Sequence, residues 1–202
     1  MAFAWSAIVA SAASAQVFSA TAVKAAFLHR FASYVEWPAE ALGDGPFVIG
    51  IAGADDVAAN LDMLLPGLAV QGRPAEVRRV ARADEIAGVH ILYLGPGSAA
   101  RTRELRDAAI TRPILLVTDG ERDFGAGAII NFVESGSRVR FEVSLISAER
   151  AGLRIDSALL PVAARVERQP QAWFDQLFPR WQLAFAGPPA DRYAALDSRR
   201  VL

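Results

Sequence analysis

The sequence contains no cysteine and only two histidines. Without thiols it offers no thiolate metal site, no dithiol redox motif and no cysteine nucleophile. That absence does not assign a compartment, because exported domains with an adequate core fold without disulfides. His29 lies between Leu28 and Arg30 in a helical stretch, and His90 opens an apolar run. Neither stands in an HExxH motif or a paired ligand spacing, so each reads as structural. No Asp-rich calcium loop is present either. A surplus of one charge is also missing, since 21 basic residues face 22 acidic ones for a net charge of -1. Nucleic-acid binders draw much of their affinity from neutralising phosphates, so this balance disfavours such a partner. The nucleophile elbow GxSxG and the Walker loop are absent as well. The expectation is therefore no cofactor, no metal and no catalytic residue.

What the sequence has is hydrophobicity, 53% of its 202 residues, which is enough for one domain with a real core. The first charged residue is Lys24. Before it an Ala-rich apolar stretch ends in Ala13-Ser14-Ala15, with small residues at the -3 and -1 positions that signal peptidase accepts. No Lys or Arg precedes the apolar run, so either the true start lies upstream or the assigned start trims the n-region. Ser6, Ser11, Ser14 and Gln16 interrupt the stretch, whereas a membrane anchor needs about 20 predominantly apolar residues. The pattern predicts a signal peptide over 1–15, cleaved after Ala15, and a linker over 16–22.

Val23, Phe27, Phe31 and Val35 recur every four residues and predict a helix, which Trp37-Pro38 stops. Phe31, Tyr34 and Trp37 read as core packing. Apolar runs at Phe47 to Ile51, His90 to Leu94 and Ile114 to Val117 read as buried strands. Helices are expected between them, one opened by Asp55 and Asp56 and running through Leu65, another capped by Ser98. Val77 and Val80 suggest a partly exposed strand, followed by a short helix near Asp84 to Ala87. Ile129 to Val133 and Val139 to Val143 form a hairpin around Glu134 to Ser137. Helices follow from about Ser147 and around Leu159-Leu160. The fold class is thus α/β, a single domain with a mainly parallel sheet, helices on both faces and an antiparallel hairpin at the C-terminal edge.

Three places invite a functional reading. Gly50-Ile51-Ala52-Gly53 follows a strand and precedes a helix, as a phosphate-cradling turn would, but it lacks the third glycine of the dinucleotide fingerprint. Asp119, Glu121, Arg122 and Asp123 crowd the loop after the third buried strand, where open α/β sheets bind small ligands. In the last strand Arg138, Arg140 and Glu142 alternate with Val139, Phe141 and Val143, leaving one polar face that either docks a partner or borders solvent.

Several segments, in order, resemble the YfiR family: VKAAFLHRFASYVEWP (Val23 to Pro38), PFVIGIAG (Pro46 to Gly53) and VHILYLG (Val89 to Gly95). ILLVTDGERDFGAGAIINFV (Ile114 to Val133) and VRFEVSLISAERAGLRIDSALLPVA (Val139 to Ala163) continue the resemblance. It implies a YfiR-like α/β domain over 23–163, with a C-terminal extension over 164–202 that carries Trp173, Phe174, Phe178 and Trp181. It further implies a periplasmic, non-enzymatic regulator that binds and inhibits the periplasmic domain of an inner-membrane diguanylate cyclase, lowering cyclic di-GMP signalling. A homodimer is a further option, and no nucleic acid is expected. Family members that sense redox state use cysteines, so disulfide control does not carry over. The competing reading is a periplasmic small-molecule binder with its pocket at the carboxyl ends of the strands, in the loops after Gly53 and Gly95 and in Asp119 to Gly127. On the docking reading Arg138, Arg140 and Glu142 are the partner-binding residues.

Overall fold

The computed structural model describes residues 19–97, 99–120, 126–136 and 138–168. The proposed signal peptide, Ser98, residues 121–125 and the aromatic extension after Arg168 lie outside the described residues. A first compact unit runs through Glu167, and the second, Arg168–Leu202, is outside the described residues apart from its first residue.

Helix α1 (Ala20–Phe31) starts earlier than the apolar stripe suggests, because Ser19 caps it by accepting the Ala22 N–H at 3.2 Å. It therefore takes up Ala20, Thr21 and Ala22, which the sequence placed in a linker. It also ends earlier. Val35, expected on the helical stripe, instead forms strand β1 (Val35–Glu36), paired antiparallel with β9 (Arg154–Ile155). After the short helix α2 (Ala39–Leu42), strand β2 (Phe47–Ala52) leads into α3 (Asp55–Leu64). Asp55 and Asp56 occupy the first turn of α3 rather than its cap, where their charge still complements the helix dipole.

Strands β3 (Ala69–Val70) and β4 (Arg73–Arg79) form a hairpin, and a 3-10 turn (Ala83–Ile86) leads to β5 (Ile91–Leu94). Helix α4 (Ala99–Ala109) connects β5 to β6 (Leu115–Asp119). Strands β7 (Ile130–Ser135) and β8 (Arg138–Ser144) make the expected hairpin, turning at Gly136 with φ of 61°. Helix α5 (Leu145–Arg150), β9, a second 3-10 turn (Ser157–Val162) and β10 (Arg165–Glu167) complete the described fold.

The main sheet has the order β10-β8-β7-β6-β5-β2-β4-β3. Its centre is parallel from β4 to β7, with β7–β8 antiparallel and β10 laid parallel outside β8. Strand alternation divides the core. Phe47, Ile49, Ile51, Ile91, Tyr93, Leu115 and Val117 face α1 and α3, whereas Val48, Leu92, Leu94 and Leu116 face α4. On the first face Phe27 and Phe31 from α1 meet Phe132 and Phe141 at centroid distances between 5.0 and 6.1 Å. Gly50 points to the second face, where a Cβ would come within 2.9 Å of Val89 Cγ1. Its role is close packing.

Trp37 is buried against Phe47, which stacks in turn on His90. His90 Nδ1 accepts the Val48 N–H at 3.0 Å, so the histidine completes a backbone ladder. Burial, followed by the nearby arginine charges, holds its pKa below the ordinary value and keeps the ring neutral, as an acceptor must be.

Candidate functional site

The chain runs from β2 outward to β4, then crosses back to place β5 on the other side of β2. Such a reversal opens a crevice beyond the carboxyl ends of the two strands, where open α/β sheets hold ligands. Here it is a cavity of about 280 Å³, lined by Gly53 to Val57 after β2, Pro96 after β5, and Asp119 at the end of β6. Thr21 and Lys24 of α1 and Tyr93 of β5 complete the wall.

At its base lies a polar cluster within an apolar core. Lys24 Nζ donates to Asp119 Oδ2 at 2.7 Å and to Glu134 Oε1 at 3.3 Å. Tyr93 Oη donates to the same Asp119 oxygen at 2.8 Å. Lys24 and Asp119 keep only 8% and 14% side-chain exposure, whereas Glu134 is 64% exposed. The inner pair is therefore the strong one, and Glu134 adds a screened outer charge.

Burial pushes the Lys24 pKa down, but the hydrogen bond and charge of Asp119, joined by those of Glu134, outweigh it and leave it raised. Burial raises the Tyr93 pKa far above its usual value, and the Asp119 charge adds to this. Both groups bind their proton more tightly folded than unfolded. Their contribution to stability is thus complete below about pH 10 and falls as pH rises through the folded pKa values. Urea midpoints should accordingly hold from neutrality to about pH 9.5 and drop above it. In a Tyr93→Phe variant, which has no phenol to titrate, the drop should be shallower.

Sequence reasoning found Asp119 and the Gly53 and Gly95 turns but missed Lys24 and Tyr93. One signal for Lys24 was available. It is the only lysine among 21 basic residues, and it sits in an apolar helical stretch. Glu121, Arg122 and Asp123, the rest of the charged loop, lie outside the described residues. Among the described residues no group of His, Asp and Glu is arranged to hold a metal ion, and no helix is long and apolar enough to cross a membrane.

The three residues expected on the docking face are brought together by strand alternation. Arg138, Arg140 and Glu142 share one side of β8, opposite Val139, Phe141 and Val143. Arg138 and Arg140 are exposed. Glu142 is not equivalent to them, because it is only 17% exposed. Its Oε2 accepts from Asn131 Nδ2 at 3.3 Å, and its Oε1 lies 4.0 Å from Arg165 Nη1. Asn131 Oδ1 accepts in turn from Thr118 Oγ1 at 2.9 Å, so a polar row crosses β6, β7, β8 and β10. Reversing the charge of Glu142 would break that row, and loss of docking in such a variant would not separate contact from fold. The two arginines are the cleaner probes.

Two solved structures are similar to part of this chain. An ABC domain from Streptococcus pneumonia in complex with L-Trp is 11% identical, with a TM-score of 0.42, covering 63% of this chain and 57% of that one. A conserved domain protein from Vibrio cholerae is 13% identical, with a TM-score of 0.43, covering 74% of this chain and 60% of that one. The chain thus spans less than two thirds of either. The sequence itself is more specific. Residues 21–164, from the first turn of α1 to the residue before β10, match the family described as YfiR/HmsC-like. That stretch holds every strand of the sheet except β10, and the chain belongs to the YfiR/HmsC-like family.

Proposed function

We propose that the protein is a periplasmic, non-enzymatic regulator that docks on the periplasmic domain of an inner-membrane diguanylate cyclase and inhibits it, lowering cyclic di-GMP. Family membership over residues 21–164 carries this reading. It comes with export directed by residues 1–15, cleavage after Ala15, and Arg138, Arg140 and Glu142 at the contact. The extension after the sheet is left without a role. Deleting the gene should raise cellular cyclic di-GMP, and restoring the full chain should return it to the starting level. A copy beginning at Gln16 with a new start codon should fail to do so, because it stays on the wrong side of the inner membrane. Unchanged cyclic di-GMP on deletion contradicts the inhibitory role.

A second reading, a periplasmic small-molecule binder, draws on the cavity beyond β2, β5 and β6. A ligand there favours the folded state and raises the melting temperature, so a metabolite panel read by thermal shift separates the two readings.

A further inference from the structure

Strand β8 is seven residues long and β10 only three, so β10 covers Glu142, Val143 and Ser144, and among the described residues the start of β8 has no strand on that side. The last backbone contact along the flank is the Ala164 N–H donated to the Phe141 C=O at 2.7 Å. On the other side Ser144 donates its N–H to the Ile129 C=O at 2.8 Å. Even-numbered residues of β8 therefore turn their backbone groups toward β7, and odd-numbered ones turn theirs outward. By this alternation Val139 N–H, Val139 C=O and Phe141 N–H face the open flank.

Two further observations concern the same place. The Arg138 and Arg140 guanidinium groups stand exposed on one face of this stretch, and among the described residues neither has an ion pair or hydrogen bond. On β4 of the same sheet, by contrast, Arg78 pairs with Glu76 and Arg79 with Asp62. In addition, Val162, two residues before Ala164, leaves 59% of its surface in solvent. Unpaired backbone, two unpaired cations and an apolar side chain are together the complement of an extended peptide rich in carboxylates.

We propose that the bare flank of β8 accepts an extended acidic segment of the partner as an added strand. The segment's backbone bonds to Val139, and its carboxylates lie against Arg138 and Arg140. This rests on the docking reading given above and narrows the contact to one chemistry. Charged side chains and a short covering strand are also how sheets guard their edges against unwanted pairing. The two roles give opposite results in one experiment.

The full chain is titrated with the purified periplasmic domain of the cyclase at low and high salt, alongside two variants. Arg138→Glu/Arg140→Glu removes the charge match. Val139→Pro removes an outward N–H while leaving the ladder to β7 intact. Circular dichroism and melting temperature verify that both fold. Strand addition predicts that each variant weakens binding at least about tenfold, the energy of one or two strong hydrogen bonds, and that salt weakens the wild type more than the arginine variant. Either variant binding within about twofold of wild type overturns the proposal. Unchanged binding accompanied by new self-association assigns the flank to edge protection. No binding by the wild type is a different failure, since it strikes the docking reading itself.

Discussion

Replacing Lys24 with methionine should lower the stability of the domain by about 3 kcal/mol, a fall of roughly 6–12 °C in melting temperature. Methionine fills nearly the same volume, so the loss is electrostatic rather than a cavity effect. What remains is the Asp119 carboxylate, 14% exposed, with the Tyr93 hydroxyl as its close partner. Stranding one ion of a buried pair costs more than the pair contributes while intact. The second-site variant decides the matter. Adding Asp119→Asn to Lys24→Met removes the stranded charge yet still accepts from Tyr93, so the double variant should be more stable than Lys24→Met alone. A double variant weaker than both singles would mean that Asp119 holds the fold by some route other than Lys24. Urea unfolding of the four proteins supplies the measurement.

Phe31→Ala should be costlier, about 3–5 kcal/mol, because the ring is fully buried and its neighbours cannot collapse into the space. Phe31 touches Phe27 on its own helix, Phe132 on β7 and Phe141 on β8. It therefore ties α1 to the antiparallel end of the sheet. Phe27 contacts the same two strand rings but is only partly buried, so Phe27→Ala should cost about half as much. Equal losses at the two positions would contradict the packing described here. Because α1 also carries Lys24, loosening it at Phe31 should weaken the Lys24–Asp119 contact and make the alkaline loss of stability shallower.

Elements set by local chemistry were legible in the sequence, and those made by distant pairing were not. The runs at Phe47, His90 and Ile114 announce buried strands because each is continuous, apolar and bounded by Gly or Pro. The β7–β8 hairpin was legible through the alternation of Val139, Arg140, Phe141 and Glu142 and the glycine that turns it. Val35 deceived because its four-residue spacing from Phe31 continues the helical stripe. Its actual partner, Ile155, lies 120 positions away (155 minus 35), and no local pattern announces that pairing. Strand β10 escaped for the same reason, since three residues are too few for alternation to register. Its absence made the hairpin read as the outermost edge, whereas three of the seven residues of β8 are covered. The docking face was legible as a face but not in its detail. Nothing local distinguishes Glu142, tied to Asn131, from Arg138 and Arg140, which have no such partner among the described residues.

The two candidate places draw on opposite physics. At the switch-point crevice Lys24 and Asp119 are buried, paired and expensive to disturb, so substitutions there register as stability. On β8 Arg138 and Arg140 are exposed and, among the described residues, unpaired, and surface substitutions of that kind move stability by only about half a kcal/mol. An effect of the arginine variants on signalling with no effect on melting would thus speak for contact.

Isothermal titration of the purified chain against the purified periplasmic domain of the proposed diguanylate cyclase partner tests docking most directly. The expected result is a saturable isotherm with a dissociation constant of about micromolar or tighter, weakened by salt. The contrary result is no heat of binding at concentrations of about 100 μM, with both proteins folded, which would leave the regulator reading without its partner.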